Sequence, residues 1–175
     1  MLLDVMDALQ NMDNVIVVGP SEINGILRGY DFELIAEEKG SGLNDAVCTG
    51  NKLAMEMGAN STLFVPADTP LISPKHIEEI LELGKKHQLI ISPSRRGGTG
   101  ILFRRPPNII KERFTSNSYK DYQAEAQRAG VKPYVYDSFF LSLDIDTPED
   151  IKEFMLHGEG TRTYTLLENM AIDLN

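Results

Sequence analysis

Two short acidic stretches carry side chains able to hold a cation. Thr62 to Leu71 reads Thr-Leu-Phe-Val-Pro-Ala-Asp-Thr-Pro-Leu, an apolar β-forming run stopped at Pro66, with Asp68 just past its end. Leu143 to Asp150 reads Leu-Asp-Ile-Asp-Thr-Pro-Glu-Asp. There Asp144 and Asp146 alternate with apolar Leu143 and Ile145, so in a strand end both carboxylates share one face. Ligands of open parallel sheets bind beyond the carboxyl ends of the strands. Asp68 joined with Asp144 or Asp146 would make a hard-oxygen site suited to magnesium, which takes few carboxylates and completes its shell with waters and substrate phosphates. Each piece also has a plain structural use. Asp68-Thr69-Pro70 can make a turn, and Asp146 or Thr147 can cap a helix with Pro148 in its first turn.

Two glycine loops lie around and between these acids. Lys39-Gly40-Ser41-Gly42 precedes a helix and offers backbone N–H groups and a positive helix end to a phosphate or a polarised base. It has neither a Walker ending nor the dinucleotide fingerprint. Arg95-Arg96-Gly97-Gly98-Thr99-Gly100 sets two guanidinium groups beside backbone that a ligand can approach closely, as an anionic substrate would need; a solvated loop beside a bulge is the bland reading. Ser116 to Lys120 adds hydroxyls and a charge, or caps the helix after it. His76, His87 and His157 stand apart with no cysteine or second histidine at ligand spacing, which argues against zinc. No nucleophile-elbow sequence is present, which argues against covalent catalysis.

Composition narrows the partners. With 17 basic and 26 acidic residues the net charge is −9, contrary to a general binder of nucleic-acid backbone. Cys48 is the single cysteine, which excludes an internal disulfide framework and fits a reducing cytoplasm. No apolar run approaches the roughly 20 residues of a membrane span, and no signal sequence opens the chain.

The elements that would position these residues alternate between helix and strand. Helical spacing of Leu2, Leu3, Val5, Met6 and Leu9 predicts a helix from residue 1 to about 11; Val15–Val18 is a short strand closed by Gly19-Pro20. A weak helix with Ser21 as its N-cap and a strand at Phe32–Ile35 follow, then a helix through Val47, Leu53 and Met57. The strand before Asp68 reads as buried. Ser73-Pro74 opens a further helix, Leu89–Ile91 and Ile101–Phe103 are strands, and a helix ends at Gly130. Tyr134–Tyr136 and Phe140–Ile145 read as strands that break strict alternation and add an antiparallel element. Glu149–Leu156 is the last clear helix. The pattern predicts one α/β domain over 1–175, a mixed, mostly parallel sheet with helices on both faces.

Taken in order, Gly42-Leu43-Asn44-Asp45-Ala46, Val65 to Leu71, Gly97-Gly98-Thr99 and Asp144 to Asp150 resemble the 2-phospho-L-lactate guanylyltransferases of deazaflavin coenzyme biosynthesis in methanogens and actinobacteria. The resemblance covers nearly the whole chain. It implies a Rossmann-like nucleotidyltransferase fold whose two acidic sites hold Mg2+, matching Asp68, Asp144 and Asp146, with Asp68 and Asp146 catalytic. It also places the acceptor's phosphate and carboxylate near Thr99 and Ser118; Gly40, Gly42 and Asn44, at a helix start, are the candidate GTP contacts, and Arg95 and Arg96 are further candidates for the acceptor. The implied reaction is attack of a phosphate oxygen of 2-phospho-L-lactate, or a related three-carbon phospho-acid such as phosphoenolpyruvate, on the α-phosphorus of GTP, with pyrophosphate leaving. A homodimer is implied too. The same carboxylates would serve a molybdopterin guanylyl- or cytidylyltransferase, and a non-catalytic nucleotide-binding domain is the alternative of another class. Relatives begin with a strand and a basic loop around the triphosphate, expected ahead of Met1. Ser94 stands where they often carry an acid, and Thr115 where glycine is common.

Overall fold

The computed structural model describes residues 1–37 and 42–170. Along the chain run α1 (Leu2–Ala8), β1 (Ile16–Gly19), α2 (Ile23–Ile26), β2 (Glu33–Ala36), α3 (Leu43–Glu56), β3 (Thr62–Phe64) and α4 (Pro74–Gly84). They are followed by β4 (Leu89–Pro93), β5 (Thr99–Arg104), α5 (Ser118–Arg128), β6 (Tyr134–Val135), α6 (Phe139–Ser142), α7 (Pro148–His157) and α8 (Arg162–Asn169). Among the described residues one sheet has the order β3-β5-β4-β6, and β1 with β2 forms another. β1 is parallel to β2 and β4 to β6, whereas β5 is antiparallel to β3 and β4.

The antiparallel strand is therefore β5, and the expectation for Tyr134 to Ile145 is corrected. Residues 94–98 alone separate β4 from β5, too few for the crossover that a parallel neighbour requires. Phe140 to Ile145 is likewise not one strand. It opens as the helical turn α6, with Ser142 N–H returning to the Ser138 carbonyl at 3.0 Å, and then runs on outside any helix or strand. The turn buries Leu141 against β4 and β5. Gly100 makes that approach possible, because a Cβ there would stand 2.6 Å from the Leu141 carbonyl oxygen.

Period-two alternation puts opposite faces of the central strands in different cores. Ile90, Ile101 and Phe103 meet Val5 and Ala8 of α1 and Ile77 and Ile80 of α4. Leu89, Ile91 and Leu102 meet Tyr122 and Ala126 of α5 on the other side. Helices thus cover both faces. β4 and β5 are buried nearly throughout, but β1 and β3 are largely half-buried, contrary to the expectation for the strand before Asp68. Among the described residues each pairs on one side only.

Local chemistry sets the helix starts. α4 opens at Ser73-Pro74, where the Ser73 N–H donates to Nδ1 of His76 at 3.1 Å, so this histidine serves the cap. α2 is shorter than expected and follows Glu22 rather than a Ser21 cap. The weakly patterned tail holds α8, whose start is fixed by buried Asp4 of α1: its carboxylate accepts the N–H of Arg162 at 2.6 Å and of Thr163 at 3.2 Å. No helix of the described residues is long and apolar enough to cross a membrane.

Candidate active site

Asp68 lies in a turn just beyond β3. Thr69 Oγ1 donates to the Pro66 carbonyl at 3.0 Å, so the turn expected of Asp-Thr-Pro is real, and Asp68 lies within it. The segment after α6 is fastened to this turn by the Ile145 N–H, which donates to the Asp68 carbonyl at 3.1 Å. One backbone bond thus joins two acidic stretches far apart in sequence. Leu143 and Ile145 point into a core with Leu71 and Phe154, leaving Asp144 and Asp146 on the other side.

The carboxylates are short of partners. Asp68 Oδ1 and Asp144 Oδ1 are buried and accept no hydrogen bond. Burial raises the pKa of Asp68 above its ordinary value, and the charges of Asp144 and Asp146 raise it further. Asp144 is raised for the same first reason and by Asp146, with Arg96 opposing. Buried anionic oxygens that accept no hydrogen bond are costly, and a cation would relieve them. Among the described residues no three His, Cys, Asp or Glu side chains converge as a cage. The donor set therefore fits a cation held by one or two carboxylates and completed by water and phosphate oxygens, the habit of magnesium.

Asp150 is a neighbour of these carboxylates whose contacts were not foreseen from the sequence. It is buried, accepts the N–H groups of Asp146 at 3.1 Å and Thr147 at 2.8 Å, and pairs with Arg96. Burial works against its charge, but the bonds from Arg96, Thr147 and Asp146 prevail and bring its pKa down to about 2. The Thr-x-x-Asp spacing of a capping box was its available signal. Thr147, not Asp146, is the N-cap of α7.

Loop 94–98 separates this cluster from a second one. The left-handed Gly97, with φ +83°, lets the loop turn, and the Ser94 N–H donates to the Gly98 carbonyl at 3.0 Å. Behind it, buried Ser118 Oγ donates to Thr99 Oγ1 at 3.0 Å, so Thr99 and Ser118 are brought together as expected. The arginines are not at this pair. Arg95 packs over the Phe139 ring and pairs with Glu153 at 3.5 Å, and Arg96 turns to Asp144, Asp146 and Asp150.

Gly42 is the N-cap of α3, as the loop pattern required, while Gly40 lies outside the described residues. Asn44 has a structural role, since its amide donates to the Phe114 carbonyl at 2.9 Å and accepts the Phe114 N–H at 2.8 Å. A shallow hollow lined by Lys75, Glu79, Tyr134 and Tyr136 lies between α4 and β6 and shares no residue with these clusters.

The model of the family described as guanylyl transferase CofC like matches residues 1–175. This chain belongs to that family. Among curated CofC-like relatives, the 2-phospho-L-lactate guanylyltransferase of Methanocaldococcus fervens is 39% identical over 99% of this chain and 78% of its own. That of Methanothermobacter thermautotrophicus is 33% identical over 97% of this chain and 76% of its own. Solved structures share the fold at lower identity. The 4-diphosphocytidyl-2C-methyl-D-erythritol synthase of Anaerococcus prevotii aligns with TM-score 0.62 at 15% identity, over 87% of this chain and 84% of that one. A CMP:2-keto-3-deoxy-manno-octonic acid synthetase complexed with CTP aligns with TM-score 0.63 at 12% identity, over 97% of this chain and 88% of that one. The CofC-like chain thus has the nucleotidyltransferase α/β fold that its motifs implied.

Proposed function

We propose that the chain transfers the guanylyl group of GTP to 2-phospho-L-lactate, giving a GDP-linked intermediate and pyrophosphate in deazaflavin coenzyme biosynthesis. The observation that carries this reading is the meeting of Asp68 with Asp144 at a strand end, both with buried free oxygens, in a chain matched over its whole length by the CofC-like family. A phosphate oxygen of the acceptor attacks the α-phosphorus of GTP, and the bond to the β-phosphate oxygen breaks. Both reactants are anions, so bringing them together is the main obstacle.

The chain's own residues divide that work. Asp68, with Asp144 or Asp146, would hold Mg2+. The ion would neutralise phosphate charge at the reacting centre, with no protein nucleophile required. Thr99 accepts a hydrogen bond from the Ser118 O–H and keeps its own O–H to donate to an acceptor oxygen, fixing the angle of attack. Gly42 presents the start of α3 to the nucleotide.

The reading also includes a homodimer in solution, checked by sedimentation. Its main test is pyrophosphate release from GTP and Mg2+ with 2-phospho-L-lactate, phosphoenolpyruvate or neither. Release that depends on the phospho-acid and is lost with CTP supports the assignment. Release with CTP alone, or GTP binding without turnover, overturns it.

A further inference from the structure

Resting on the reading that Asp68 and Asp144 or Asp146 hold a divalent cation, we propose that Arg96 is an internal counter-ion, neutralising Asp144 and Asp146 in the cation-free protein and leaving them when the cation arrives. Its guanidinium is held unequally. Nη2 is anchored by buried Asp150 and stands 3.3 Å from Thr147 Oγ1. Nη1 reaches past this anchor to Asp146 Oδ2 at 3.3 Å and Asp144 Oδ1 at 3.6 Å.

The contact with Asp144 is the decisive one. Asp144 Oδ1 is buried and accepts no hydrogen bond, so Nη1 offers it a neighbouring charge without satisfying it. A cation at that oxygen would supply both charge and coordination, and it would meet a positive guanidinium within a few ångströms. The two cannot share these oxygens favourably. The Nη1 end is free to swing away from Asp144 and Asp146 about the Asp150 anchor, since the side chain is 43% exposed and Arg96 is followed by the left-handed Gly97. Arg95 supplies the internal control: it has the same charge and lies one residue away, yet it engages Glu153 and Phe139 instead of the cluster.

Competition of this kind weakens apparent cation affinity by the fraction of protein in which the arginine is out of the way. Mn2+, followed by its electron spin resonance signal, is the probe, with wild type, Arg96→Gln, Arg95→Gln and Asp68→Ala compared as full chains. Arg96→Gln is expected to bind Mn2+ about tenfold more tightly than wild type, and Arg95→Gln to change affinity by less than about threefold. Without metal, Arg96→Gln should melt below wild type, and the gap should close at saturating Mn2+. Equal tightening in both arginine variants, no tightening, or a melting gap indifferent to Mn2+ would overturn the exchange while leaving the metal site in place. Mn2+ binding that is absent from wild type, or unchanged in Asp68→Ala, overturns the metal reading and this inference with it.

Discussion

Loop 94–98 divides two groups of side chains that solve opposite problems. On one side Asp68 and Asp144 bury oxygens with no donor, and burial, with like charges adding to it, pushes both pKa values up. On the other, Thr99 and Ser118 satisfy each other in a buried hydroxyl pair. The carboxylate side stores an electrostatic deficit that a bound ion would correct. The hydroxyl side is already arranged and has only a donor to offer. Charge neutralisation should therefore govern turnover, and hydroxyl geometry should govern which acceptor is held.

The largest effect that this contrast predicts is on Asp68. Asp68→Ala should lower guanylyl transfer by about 10³-fold, as loss of a principal electrostatic stabiliser does, with far-UV circular dichroism near wild type and a melting midpoint no lower than wild type. Near-normal pyrophosphate release from that variant would falsify its role. Thr99→Val keeps shape and removes the remaining donor. It should raise the acceptor KM by about tenfold to a hundredfold, the worth of a hydrogen bond to a charged group, and leave the KM for GTP unchanged. The reverse pattern would put the nucleotide, not the acceptor, at the hydroxyl pair and break the division.

Asn44 belongs to neither side, and its effect should appear as stability. Both of its hydrogen bonds bridge the start of α3 to the backbone of Phe114, so Asn44→Ala leaves a half-buried N–H and carbonyl without those partners. The expected loss is about 1–3 kcal/mol in urea unfolding. A stable variant with weakened GTP binding would return Asn44 to the nucleotide.

Much of this was legible in the sequence, for identifiable reasons. Pro66 ended a strand and left Asp68 beyond it; Ser73-Pro74 and Thr147-Pro148 marked helix starts whose causes are local. The alternation of Leu143, Asp144, Ile145 and Asp146 put Leu143 and Ile145 in the core and the two carboxylates on the other side even though no strand forms there. What stayed hidden was tertiary. Phe140 and Leu141 have strand-forming character, but burial of Leu141 over Gly100 favours a helical turn. The direction of Arg96 was equally hidden, because nothing local reveals that Asp150 lies 54 positions along the chain and beside it. Asn44 carried a helix-start signal that also fits a ligand contact, and only its bonds to Phe114 separate the two.

Acidity offers a finer test of the same contrast. A carboxyl whose pKa is raised on folding binds more protons folded than unfolded, so its contribution falls as pH climbs above the ordinary value of 3.8. Wild type should therefore lose stability relative to Asp68→Asn over that range, by urea unfolding in metal-free buffer, and saturating Mn2+ should abolish the loss. Asp150 behaves with the opposite sign. With its pKa brought down to about 2, its contribution is complete above the ordinary carboxylate range and disappears as pH falls through about 2, so the advantage of wild type over Asp150→Asn should shrink on acidification. Thr99→Val, which removes no titrating group, should differ from wild type by the same amount at every pH. If its difference tracked pH as that of Asp68→Asn does, the hydroxyl pair would be electrostatically coupled to the carboxylates, and the loop would join the two sides instead of dividing them.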